Sequence, residues 1–246
     1  IIIEAGIVKS SKNDLIKRGW FDESQISKFL NLDLNSLLNL LKSDKPNERS
    51  IASFLLGVKF NVNNKEIYKS LIDALLNESA LYARIEISKV LEKGDCSVAE
   101  YMVNFLAKIG NNQYKKLPKK VSKKVSYPLP RDIIARILGK MDKANFCILI
   151  YSLTKCTTEQ LHELLDSIGF MIFYNPSLVN LKNFNIIIGL FNKYKDDEIM
   201  VWKLITVLSA FNIGESKLFL LKTKDNFSNK VLVLECERSL RLICTK

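Results

Sequence analysis

One histidine, nine glycines and two tryptophans in 246 residues leave little material for several kinds of functional site. The five cysteines (Cys96, Cys147, Cys156, Cys236 and Cys244) are odd in number and include no C-x-x-C pair. With His162 as the only imidazole, a Cys/His metal centre has no ligand set. The cysteines read instead as buried, reduced thiols of a cytoplasmic protein. No glycine-rich loop or Walker pattern is available to cradle a phosphate. His162 is the sole candidate for a histidine general base, and no Ser, Cys or Asp motif surrounds it. The expectation is a non-enzymatic chain with no metal and no cofactor. Long apolar runs are missing as well. The longest, such as "FCILIYSL" over 146–153, fall far short of a membrane span, so no membrane partner is expected. The opening "IIIEAG" lacks the order of a secretory signal because its apolar run is broken at Glu4. An isoleucine at position 1 fits a processed or truncated chain.

What is present is positive charge, and it is concentrated. The formal net charge is +11, and residues 111–131 contribute +7 of it, from six lysines, one arginine and no acid. The lysines stand in pairs at 115/116, 119/120 and 123/124 within "YKKLPKKVSKKVSYPLPR". A focused patch attracts anions far better than the same charge dispersed over a surface.

Helical signals run through the rest. Asp22 and Gln25 have capping-box spacing, with Phe21 and Ile26 placed as a hydrophobic staple. Thr157 and Gln160 repeat the box, and Ser97 with Glu100 does so ahead of a helix predicted over 97–109. Ile67, Leu71 and Leu75 form one stripe of a helix over 64–77, with Lys69 and Asp73 off it. "NIIIGLF" and "VLVLE" have strand propensity but fall within helical spacing, and no alternating hairpin pattern occurs. The chain is predicted to be all-α.

The helices also repeat. "NERSIASFLLG" (47–57) superposes on "PRDIIARILG" (130–139) with Arg49 on Arg131, Ile51 on Ile133, Leu56 on Leu138 and Gly57 on Gly139. Between them Arg84 follows Arg49 by 35 residues, and Ile87, Val90 and Leu91 repeat the stripe of Ala52, Leu55 and Leu56. Paired helices recurring at 35 to 47 residues mark a helical solenoid. One pair cannot bury its apolar face alone, so neighbours must stack. The stretch "DKPNERSIASFLLG", with the Asp44 turn, Arg49, Ala52, Leu56 and Gly57, resembles a HEAT repeat, and the resemblance is clearest over 35–141. Further pairs are placed by pattern at about 145–174, 177–212 and 215–244. The prediction is one repeat domain over 1–246, a right-handed α-α superhelix of about five to six helix pairs, with lead-in helices over 1–34. The resemblance implies that the second helix of each pair lines a concave face, and that Arg49, Arg84 and Arg131 bond within the stack.

The basic stretch, 111–129, interrupts a repeat between paired helices, because Arg131 follows Arg84 by 47 residues rather than 35. Leu117, Val121 and Val125 recur every four residues, as in a short helix starting at Pro118, but like-charged i, i+4 pairs oppose it. Two functions are carried forward. The first is a binding scaffold, with a protein partner on the concave face. The second is a nucleic-acid-binding solenoid using Lys115, Lys116, Lys119, Lys120, Lys123 and Lys124, with Arg131, Arg136 and Lys140 beside them. Its enzymatic extreme is suggested by likeness to alkylpurine DNA glycosylases, which also use HEAT-like repeats. There Trp202 and Asp197 would stand as the aromatic and the acid.

Overall fold

The computed structural model describes residues 11–244. Among them there are fourteen α-helices and no strand, so the chain is all-α. The backbone clusters into two compact units that meet between Gly94 and Asp95, where the sequence predicts one repeat domain.

The first unit begins with short lead-in helices α1 (Lys12–Lys17) and α2 (Glu23–Ile26), as predicted for the region before residue 34. Asp22 and Gln25 make the predicted reciprocal capping box on α2. There follow α3 (Leu34–Leu40), α4 (Pro46–Lys59), α5 (Lys65–Asn77) and α6 (Leu81–Leu91). Helix α4 packs on α3 and α6, and α5 packs on α6. The predicted stripes are the core: Ala52, Leu55, Leu56, Ile67, Leu71, Leu75, Ile87, Val90 and Leu91 are all buried. The α4–α6 approach is close enough that a Cβ on Gly57 would stand 2.6 Å from Val90 Cγ2, which is why glycine follows the stripe there.

The second unit holds α7 (Cys96–Val103), α8 (Ile133–Lys140), α9 (Phe146–Ser152), α10 (Thr158–Tyr174), α11 (Leu181–Lys193), α12 (Glu198–Leu208), α13 (Gly214–Lys224) and α14 (Lys230–Cys244). Helices α8, α10, α12 and α14 lie side by side in chain order, and each packs against the helix that precedes it in sequence. This layer carries most of the unit's apolar core. "NIIIGLF" and "VLVLE" are helical, within α11 and α14, where Phe184, Ile187 and Phe191, and Leu232 with Cys236, bury at helical spacing.

Three local expectations are corrected. The cap of α7 is Asp95, not Ser97: its carboxylate accepts from the Ser97 and Val98 amides. An Asp two residues earlier captures the free N–H groups first. The same helix stops at Val103 rather than Ile109, because the Asn104 side chain donates to the Glu100 and Tyr101 carbonyls and Ala107 adopts φ 63°. Leu106 and Ile109 still bury, from turns. No helix forms at Pro118, and Val125, the last residue of its supposed stripe, is 82% exposed.

A fourth correction concerns the repeated arginine. Arg49 and Arg84 are the fourth residues of α4 and α6, and each donates to the carbonyl six residues earlier, Ser43 and Glu78 respectively. In α8 that place and that bond belong to Arg136, whose Nε donates to the Pro130 carbonyl at 3.1 Å. Arg131 precedes the Asp132 cap and lies outside the helix. The apolar register fails with it at Ile133: laid on buried Ile51, it is only half-buried, and the buried face of α8 is Ile134, Ile137 and Leu138, because the helix starts later than the motif alignment placed it.

Candidate functional site

The basic stretch connects α7 to α8 within the second unit and is held at both ends. At its start, Asp132 is fully buried and accepts hydrogen bonds from Ala107 N (3.2 Å), Gln113 Nε2 (2.8 Å) and Ala135 N (2.9 Å). One carboxylate therefore caps α8 and pins the entry to the stretch. Burial raises the Asp132 pKa, and the three N–H donors work against that rise. Next along the chain, Tyr114 packs edge-on against Trp202 of α12 at 4.8 Å between centroids, and the Arg131 guanidinium sits 4.2 Å over the Tyr114 ring. The Tyr114 ring is thus held by the protein itself, between Trp202 and Arg131.

At the other end, Arg238 of α14 donates Nη2 to the Ser126 carbonyl at 3.0 Å and Nη1 to Glu235 at 2.8 Å. Tyr127 is 3% exposed and inserts against α10, between Phe170 and Phe173. A Cβ on Gly169 would stand 1.8 Å from the Tyr127 hydroxyl, so α10 has a glycine-sized notch beneath the ring. The stretch is a strap laid over α10, α12 and α14.

Between these anchors the lysines face outward. Lys115, Lys116, Lys119, Lys120, Lys123 and Lys124 are all exposed, and none makes an ion pair among the described residues. Leu117 and Val121 are half-buried, which turns the intervening lysines to solvent. Arg136 is committed to Pro130, and exposed Lys140 ends α8. The cations beside Lys123 and Lys124 belong to α14 instead: Arg238 and Arg241, which line a recess of about 250 Å³ with them. Motif reading missed these two because they lie over a hundred residues from the strap and carry no local signature.

Beneath the strap lies a cluster of buried charge. Lys203 is 1% exposed and bonds Glu163 at 3.0 Å and Asp166 at 2.8 Å. Burial works to lower the Lys203 pKa, but the two carboxylates outweigh it and hold it raised. Burial pushes Glu163 up to about 7 despite its lysine partner. Trp202 Nε1 donates to Glu235 at 3.2 Å, and Thr206 Oγ1 donates to the same carboxylate at 3.2 Å. Asp197 caps α12 by accepting from Met200 N and hydrogen-bonds His162 Nε2 at 3.1 Å. Trp202 and Asp197, paired in the glycosylase reading, therefore have separate structural partners.

In the first unit, Arg49 makes a two-pronged pair with Glu78, Nε and Nη2 each 2.7 Å from a carboxylate oxygen. Glu78 also accepts from Ala80 N at 2.7 Å. This use of Arg49 is internal, as the resemblance implies.

Of the five cysteines, only Cys236 is buried, so the expectation of buried thiols holds for that one alone. Burial pushes its thiol up to about 12 and that of half-buried Cys156 up to about 11. No group of three His, Cys, Asp or Glu side chains among the described residues is placed to hold a metal ion. No described helix is long and apolar enough to cross a membrane. No family model matches the chain, and no curated protein or solved structure is detectably similar to it.

Proposed function

We propose that this chain is a non-enzymatic helical-repeat scaffold of the HEAT-like kind, a right-handed stack of six helix pairs, and that its strap holds a polyanion, with nucleic acid as the partner. The pairs are α3/α4, α5/α6, α7/α8, α9/α10, α11/α12 and α13/α14. Support for the repeat comes from the serial packing of α8, α10, α12 and α14 and from the arginine at the fourth position of α4, α6 and α8. Support for the polyanion comes from one observation above all: six unpaired, exposed lysines on a strap pinned across second helices, with no acid in the stretch. Fixed cations lose less conformational freedom on binding than a loose tail does, and each phosphate they meet releases counterions.

The experiment replaces Lys119, Lys120, Lys123 and Lys124 with Gln and titrates oligonucleotides near physiological salt. The parent chain binds and the variant does not. If all six lysines met phosphates of a duplex, log K would fall with log salt at a slope of about −5. Parent chain that fails to bind at that salt overturns the reading. The second reading, a protein partner and no nucleic acid, draws on Leu218 and Leu221 of α13, which are 58% and 43% exposed within one helical turn. Sedimentation of the parent chain with oligonucleotide separates the two readings. The glycosylase extreme is set aside because Trp202 is held by Tyr114 and Glu235, and Asp197 by His162 and the α12 amides.

A further inference from the structure

The recess between the strap and α14 differs in chemistry from the rest of the strap. Its rim carries Lys123, Lys124 and Arg241, and among the described residues no carboxylate lines it. Its wall is largely apolar, formed by Val125, Leu242 and Cys244 with the stems of the basic side chains. Val125 is 82% exposed there, so its side chain is open to a ligand. The wall is preformed. Arg238 is 2% exposed, and its guanidinium holds the Ser126 carbonyl immediately after the wall residues 122–125. Its Nε is buried there without a hydrogen-bond partner, so the same guanidinium that fixes the wall retains an unused donor.

We propose that this recess takes one unstacked nucleotide unit, the phosphate on Lys123, Lys124 and Arg241 and the sugar and base edge against Val125 and Leu242. The inference rests on the nucleic-acid reading above and adds strand selectivity to it. A duplex offers its phosphates to the outward lysines, but its bases are stacked and cannot enter a recess of about 250 Å³. A single strand can insert one base and gain the apolar contact as well. A strand end, an internal nucleotide and a free nucleotide share this chemistry and must be told apart by experiment.

The test measures affinity near physiological salt for oligothymidylate and oligoadenylate, each with and without a 5′-phosphate, for the duplex of the two, and for adenosine 5′-monophosphate alone. Two variants of equal charge change are compared. Val125→Asp acidifies the recess at an exposed position, and Lys115→Gln removes a cation outside it. The parent chain prefers single strands to duplex by about tenfold, within the range of one base contact. Lys115→Gln weakens both alike and keeps the ratio, while Val125→Asp brings the ratio to about one. A preference confined to 5′-phosphorylated strands identifies a terminal nucleotide, and one indifferent to the 5′-phosphate an internal nucleotide. Strands and duplex bound equally, or a preference untouched by Val125→Asp, overturn the recess and leave the polyanion reading standing. Binding of the monophosphate without any strand overturns the polyanion reading and leaves the recess as a free-nucleotide site. No binding of any probe overturns both.

Discussion

Replacing Gly169 by Ala should destabilise the second unit, although a helix interior ordinarily gains from that change. Alanine is favoured over glycine within a helix by about 1 kcal/mol. Here the new methyl would stand 1.8 Å from the Tyr127 hydroxyl, 2.4 Å from Cζ and 3.0 Å from Cε2. The ring cannot slide sideways, because Phe170 and Phe173 pack on it with centroids at 6.3 and 5.6 Å. Either the core overpacks, at about 1–3 kcal/mol, or Tyr127 leaves its notch and forfeits about 2–3 kcal/mol of burial. Set against the helix gain, the net loss is about 1–2 kcal/mol. In a Tyr127→Ala background the clash is gone, and Gly169→Ala should stabilise by about 1 kcal/mol. The sign reverses, with a coupling of about 2–3 kcal/mol between the two sites. Urea unfolding followed by tryptophan fluorescence reads this directly. A Trp20→Phe background leaves Trp202, which lies under Tyr114, as the sole reporter, and its signal belongs to the second unit. If Gly169→Ala stabilises the parent chain, or acts identically in both backgrounds, Tyr127 does not sit in the notch and the strap is not docked on α10. Tyr127→Phe serves as the control: its hydroxyl is buried without a partner, so removing it should be neutral or stabilising.

Two further outcomes follow from the geometry. Glu78→Ala should cost about 3 kcal/mol, since it strips the Arg49 guanidinium of both partner oxygens and the Ala80 amide of its acceptor. The Glu78 pKa is lowered: burial opposes this, and the Arg49 and Ala80 donors prevail. Its stabilisation is therefore present above the unfolded value of about 4.3 and lost as pH falls through the lower folded value. The stability gap between the parent chain and Glu78→Gln should close on acidification from about pH 5, and a gap constant down to pH 2 would contradict the pairing. Replacing 115–125 by a short glycine-serine link that keeps Tyr114, Ser126 and Tyr127 should leave the circular-dichroism spectrum unchanged, because loop closure depends weakly on length. Extending the deletion through Tyr127 should lower stability measurably, and equal stability of the two deletions would show that the anchors carry nothing.

The sequence by itself determined the helical class, the stripes of α4, α5 and α6 and two of the capping boxes. These depend on residues three or four apart, and a helix places such neighbours on one face whatever lies around it. The pair boundaries after residue 142 were legible for the same reason, as α9 to α14 show. The helix start at Asp132 was not, because that cap is chosen by a carboxylate that also serves Ala107 and Gln113, far upstream in the chain. Nor was the fate of the basic stretch. Its lysine pairs announced a patch, but whether it hangs free or lies pinned is decided by Trp202, Gly169 and Arg238, on three different helices. Only tertiary packing brings those side chains under one segment, and with them the recess against α14. A local pattern records what a residue's neighbours in sequence are, and the strap is held by its neighbours in space.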